Sequence, residues 1–207
     1  MKKSLILTCL LCAFSQPIFA QAIYGVFSLP PANNFGEKQI GNISPTTGDI
    51  SLLGTNTSIE DGRIDMTTGA TALNVTDSKS YFIGEDNSDD PVLVDRIYTV
   101  DLLTGITDSS PALSIGYTTS TNFGIWYDDI DDILYGLFLV DSITAELASI
   151  DPSTGIVTTV IADVVGEEVE SLASGLMTGG RDNTNGADAK RIFTFINDSL
   201  FAIDLDN

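Results

Sequence analysis

From Ile23 onward, apolar residues fall on alternate positions in short runs. Clusters of Gly, Pro, Asn, Asp, Ser and Thr separate these runs. Period-two alternation with many β-branched residues predicts strands, because successive side chains of a strand point to opposite faces. No long segment after the N-terminal apolar run carries a helical period. The runs also repeat. "IYGVFS", "SYFIGED", "ILYGLFL" and "RIFTFIN" share an aromatic position at Tyr24, Tyr81, Tyr135 and Phe193, with spacings of 57, 54 and 58 residues. The turn glycines Gly48, Gly105 and Gly155 are 57 and 50 residues apart. Two markers sharing one period establish a structural repeat.

Each unit has one plan. The aromatic strand is followed by a variable loop and a second strand: "KQIGNIS", "DRIYTVDL", "AELASID" or "SLFAIDL". In three units this second strand runs into a turn such as Asp-Pro-Ser-Thr-Gly, where proline presets φ and glycine permits φ > 0. A third strand leaves the turn, and a fourth segment such as "TALNVT" or "NFGIWYD" leads into the next unit. Four antiparallel strands repeated in this way predict an all-β chain of β-propeller blades, about four of them. The units span about 23–55, 70–115, 121–162 and 170–207. The first lacks the leading segment and the last lacks the closing strand, which gives 14 strands and predicts an open or incomplete ring. Open ends expose strand edges for pairing. They also raise the reading of a fragment of a larger propeller.

The wording "ILYGLF…ELASIDPSTGIVTTV" resembles the repeats of secreted bacterial β-propellers, the broad group of quinoprotein-like and streptogramin-lyase-like propellers. The resemblance covers nearly the whole chain after residue 22 and implies the propeller fold. The quinoprotein repeats carry a docking tryptophan after the turn. "TGIVTTV" and "TGITDSS" have none, and the single tryptophan, Trp126, lies in another strand, so the resemblance does not extend to a quinone cofactor.

The N-terminus changes the address. "MKKSLILTCLLCAFSQPIFAQA" has two lysines, an apolar run and small residues, the pattern of a signal peptide cleaved after Ala20 or Ala22, of which Ala22 gives an Ala-Gln-Ala site and is taken as the boundary. A secreted or periplasmic bacterial protein is expected, with residues 23–207 as the propeller domain. No later run is long enough for a membrane helix. Both cysteines, Cys9 and Cys12, lie in the signal, so the mature chain forms no disulfide. Loss of Lys2 and Lys3 leaves 7 basic residues against 29 acids, a net charge near −22. Such a surface repels nucleic acid and anionic lipid.

The chain has no histidine, which removes Ser-His-Asp and Cys-His catalysis and the usual histidine metal sites. A streptogramin-type lyase mechanism, which the resemblance would suggest, relies on histidine and is disfavoured with them. Carboxylates remain. Asp86, Ser88 and Asp90 alternate as calcium ligands do, but Pro91 takes the glycine position; Asp182, Thr184 and Asp188 alternate too, with Gly186 one place early. These are the candidate Ca²⁺ loops. Blade logic places Glu60, Asp61, Asp89, Asp90, Glu167 and Glu168 on one face, as candidate ligand-binding residues. "YDDIDD" from Tyr127 to Asp132 and "RDNTNGADAK" from Arg181 to Lys190 are further charged clusters. Trp126 and Tyr127 read as core packing before a sugar-stacking platform. The expected function is a non-enzymatic secreted module binding a protein or saccharide. The alternative is an acid-lined glycoside hydrolase or lyase, calcium-dependent in one form.

Overall fold

A computed structural model describes residues 23–28, 38–53, 64–65, 71–86, 94–114, 124–140, 144–164, 166, 169, 172–182 and 189–206. Residues 1–22, expected from the sequence to be a signal segment, lie outside them. The described residues form β1 (Ile23–Ser28), β2 (Lys38–Ile43), β3 (Ile50–Leu52), β4 (Ile64–Asp65), β5 (Thr71–Asn74), β6 (Lys79–Asp86), β7 (Val94–Asp101), β8 (Thr107–Ser109), β9 (Gly124–Asp128), β10 (Ile133–Val140), β11 (Thr144–Ile150), β12 (Val157–Ile161), β13 (Leu172–Asp182), β14 (Ala189–Ile196) and β15 (Ser199–Asp204). Among these residues no helix is long and apolar enough to cross a membrane.

Four antiparallel sheets follow one another as blades, in the orders β1-β2-β3, β4-β6-β7-β8 with β5 also on β6, β9-β10-β11-β12, and β13-β14-β15. None closes on itself. The three-stranded first and last blades are those the repeat predicts. The described residues carry 15 strands, one more than the expected 14, because two segments, β4 and β5, both pair with β6. Ile64 pairs with Asp86 and Thr71 with Phe82, so one partner strand serves two segments.

The recurring turn is built the same way each time. Gly48, Gly105 and Gly155 have φ of 74°, 76° and 71°. Their N–H groups donate to Ser44, Asp101 and Asp151 carbonyls at 2.8, 2.7 and 2.9 Å. In the second and third blades the aspartate closes the turn from its side chain. Asp101 Oδ1 accepts from Leu103 and Thr104 N–H, both at 2.8 Å, and Asp151 Oδ1 accepts from Ser153 at 2.8 Å and Thr154 at 3.3 Å. Only glycine reaches this φ without steric cost, and a short carboxylate satisfies the turn's N–H groups. The repeated phrase is therefore a turn signal.

Blades pack front to back. The shared aromatic column Tyr24, Tyr81, Tyr135 and Phe193 sits opposite Asn42, Thr99, Ser149 and Ala202 on the neighbouring strand, which confirms the alignment of units. Tyr24 and Leu53 of the first blade meet Phe82, Tyr98, Val100 and Leu102 of the second. Tyr81, Ile83 and Ile97 of the second meet Leu134, Phe138 and Ile150 of the third. Trp126, Tyr135 and Leu137 of the third meet Met177, Ile192 and Ile196 of the fourth. Apolar burial between blades, roughly 25 cal/mol per Å², drives this stacking among residues 23–207, which contain no cysteine. At Gly179 the approach is closest, since a Cβ there would lie 2.5 Å from the Trp126 ring.

Candidate functional site

Two polar arrangements lie at the end of the blades that carries the β5–β6, β9–β10 and β11–β12 turns. The first joins the third and fourth blades. Arg181 on β13 stands directly opposite Lys190 on β14. Like charges facing each other across strands repel. The β9–β10 turn of the third blade supplies the counter-charges. Lys190 Nζ is 2.8 Å from Asp128 Oδ2 and 2.6 Å from Asp131 Oδ2, while Arg181 Nη2 is 2.8 Å from Asp131 Oδ2 and 3.7 Å from Asp128 Oδ2. Lys190 Nζ also donates to Tyr135 Oη at 3.1 Å and sits 5.1 Å from the centre of that ring. Asp128 is 3% exposed and Lys190 6%.

A buried ion pair survives only with good geometry and additional hydrogen bonds. Asp128 Oδ1 accepts from Ile130 N–H at 3.0 Å, while its buried Oδ2 meets the ammonium as an ion contact at 2.8 Å. Burial alone would depress the Lys190 ammonium, but hydrogen bonds to Asp128, Asp131 and Tyr135 outweigh it and hold the pKa above its usual value. The hydrogen bond from Lys190 holds Asp131 below the usual carboxylate range. The cluster is a two-to-two charge balance that locks one blade to the next.

The second arrangement is a cleft of about 640 Å³ between the second and third blades, within the range of ligand sites. Asp77, Lys79, Tyr127, Asp132, Asp151 and Thr158 are among its lining residues. Tyr127 stacks on Tyr81 with ring centres 5.4 Å apart and donates its hydroxyl to Asp132. Asp132 occupies the left-handed region at φ 58°, which aspartate tolerates at modest cost. Burial, then the bond to Asp132, raises the Tyr127 phenol above its usual pKa. Asp151 is lowered to about 2 by the Ser153 and Thr154 hydroxyls and the Ser153 N–H. Asp77 accepts from Asn74 Nδ2 at 3.3 Å and lies 3.9 Å from Lys79. Asp129 ties the same two blades, its Oδ1 accepting from Val75 N–H at 2.8 Å. A neighbouring cavity of about 430 Å³ shares Lys79, Tyr81 and Pro152 with the cleft.

Of the residues the sequence nominated, Glu60, Asp61, Ser88, Asp89, Asp90, Glu167, Glu168, Thr184 and Asp188 lie outside the described residues. Asp86 and Asp182 are described only as strand backbone, at the ends of β6 and β13. Among the described residues no group of three or more Asp, Glu, His or Cys could hold a metal ion. Asp128 and Asp131 of the first charged cluster meet Arg181 and Lys190 of the second. Trp126 and Tyr127 are packed: Trp126 stacks on Tyr135 at 5.8 Å, and Tyr127 is 6% exposed. The sequence reading passed over Lys79, Asp77 and Asp151 as site residues. Asp77 lies in the β5–β6 turn and Lys79 opens β6, whereas Asp151 begins the β11–β12 turn at the point that Asp101 holds in the preceding unit.

No family model and no curated protein matches the chain. Among solved structures it is similar to TolB from Acinetobacter baumannii, at 14% identity and a TM-score of 0.38 over 87% of this chain. The match covers 40% of that chain's length.

Proposed function

We propose that the chain is a secreted propeller-type interaction module that takes a basic segment of a protein partner in the cleft between its second and third blades. One observation carries this reading: Asp77, Asp132 and Asp151 line a cleft in which Lys79 is the basic lining residue. The excess of acid over base in the whole chain steers cations towards such a cleft. Each carboxylate is already oriented by its own turn, which makes the cleft a preformed surface and lowers the ordering cost of binding.

The test is calorimetric titration of the mature chain with an arginine- and glycine-containing peptide. Asp77→Asn with Asp132→Asn should weaken binding at least about tenfold, a loss of about 1.4 kcal/mol. The charge-matched control Asp163→Asn with Asp198→Asn, away from the cleft, should change it far less. Equal losses in both pairs would reduce the interaction to general charge attraction and sink the site.

A second reading, an acid-lined glycoside hydrolase, draws on the same three carboxylates. A general acid requires a raised carboxyl, and Asp151 is instead held at about 2. Turnover of an oligosaccharide panel that is lost in Asp132→Asn would establish it.

A further inference from the structure

Every internal blade contact uses one front face, centred on the aromatic column, and one back face of the following blade. Among the described residues, the first blade leaves its back face exposed and the fourth blade its front face. On the fourth blade the front face carries Phe193 at 37% exposure, Phe195 at 38% and Leu200 at 61%. Phe195 and Leu200 are cross-strand partners, so they share that face. Burial along β14 alternates, with Ile192, Thr194 and Ile196 buried against the third blade, whereas β10 of the third blade is buried on both sides. On the first blade the back face carries Ile23 at 47%, Ile50 at 53% and Leu52 at 42%. Ile23 and Ile50 both pair with Ile43, which places them together.

We propose that these two faces bind each other between two copies of this chain, the fourth blade of each on the first blade of the other. The occupant follows from the chemistry of the faces. Phe193 is the fourth member of the column whose other three members each cover the back of the next blade. The exposed isoleucines and leucine offer the kind of aliphatic surface that Leu134, Ile150, Ile192 and Ile196 offer inside the chain. A front-to-back contact is heterologous, so it must close into a ring or run on as a filament. Two copies give eight blades, within the usual four to eight of a closed propeller, and three would exceed it. The closed pair leaves neither apolar face in water, where patches of this kind mark association sites.

Light scattering coupled to size-exclusion chromatography of the mature chain tests this. A concentration-dependent dimer is expected, and dimerisation should strengthen with salt as the repulsion between two strongly acidic chains is screened. Phe193→Asp or Ile50→Asp alone should weaken it at least about thirtyfold. Mixing the two variants restores one intact contact and should recover a weaker dimer. Both residues are exposed in the single chain, so circular dichroism of each variant should stay that of the parent. A monomer at all concentrations, an open-ended polymer, or a dimer indifferent to both substitutions would overturn the proposal. Loss of peptide binding in the cleft would leave it standing, because the cleft lies between other blades.

Discussion

Lys190→Met is the most informative single perturbation, because it removes a charge that three groups share. The variant keeps the length and the apolar stem but leaves Asp128, with a side chain 4% exposed, facing Arg181 at 3.7 Å in place of an ammonium at 2.8 Å. Removing one partner of a buried pair costs about 3–5 kcal/mol. The low end applies, since Arg181 remains and the Asp131 side chain is 42% exposed and can turn to water. A loss of about 3 kcal/mol corresponds to roughly 6–12 °C in Tm for a domain of this size. Trp126 provides the assay, being the single tryptophan and stacked on Tyr135 at the contact between the third and fourth blades. Its fluorescence in urea reports that contact, while circular dichroism reports all sheets. In Lys190→Met the fluorescence transition should move to lower urea and separate from the dichroism transition as the fourth blade loosens. Asp128→Asn with Lys190→Met should cost less than the two single changes summed, with a coupling of about 1–2 kcal/mol. A cost below about 1 kcal/mol, or strict additivity, would refute the idea that this charge balance holds the blades together.

Three further outcomes follow from the same geometry. Gly155→Ala combines a φ of 71° with a Cβ 2.7 Å from the Pro111 carbonyl oxygen, whereas Gly48→Ala has φ 74° and open space. Thermal melts should show about 1–2 kcal/mol for Gly48→Ala, the left-handed cost alone, and a clearly larger loss for Gly155→Ala. Acid should lower Tm between about pH 4 and pH 2: Asp151 folds with a pKa of about 2, depressed from its usual value, so its contribution is complete above about pH 4 and disappears as pH falls through 2. Asp151→Asn should flatten that limb. At the alkaline end the raised pKa of Lys190 reverses the sign, so its contribution is complete below about pH 10.4 and lost as pH rises beyond it; Lys190→Met should show a shallower decline of Tm there than the parent.

Strands and turns were legible because their signals are local. Alternation, the Asp-x-x-x-Gly phrase and the aromatic column each act within a few residues, and all three fixed their blades. The double pairing of β6 with β4 and β5 was not legible, because "RIDMTTGATALNV" reads as one leading segment and only the partner strand reveals two pairings. The charged clusters were legible as runs and illegible as pairs. "YDDIDD" and "RDNTNGADAK" each look like a solvated loop, and nothing local says that Asp128 lies beside Lys190. Aligning the inner strands does not supply the pairing either: Asn74, Asp128 and Gly180 are the equivalent positions, opposite Lys79, Ile133 and Arg191, and Arg181 falls one place later.

The two proposed associations must respond to salt in opposite directions, and this follows from charge alone. A chain with a formal charge of −20 attracts a basic segment and repels its own copy. Screening over about 8–10 Å at physiological ionic strength weakens both effects. Binding in the cleft, where Asp77, Asp132 and Asp151 supply the attraction, should therefore weaken with added salt. Pairing of the Phe193 and Ile50 faces gains its free energy from apolar burial and is opposed only by the long-range charge, so it should strengthen. One salt series on one sample thus separates the contributions. If both associations rose together, the cleft would be binding through apolar surface. If both fell, charge pairs would be holding the end blades, and the aromatic column would not be the reason they meet.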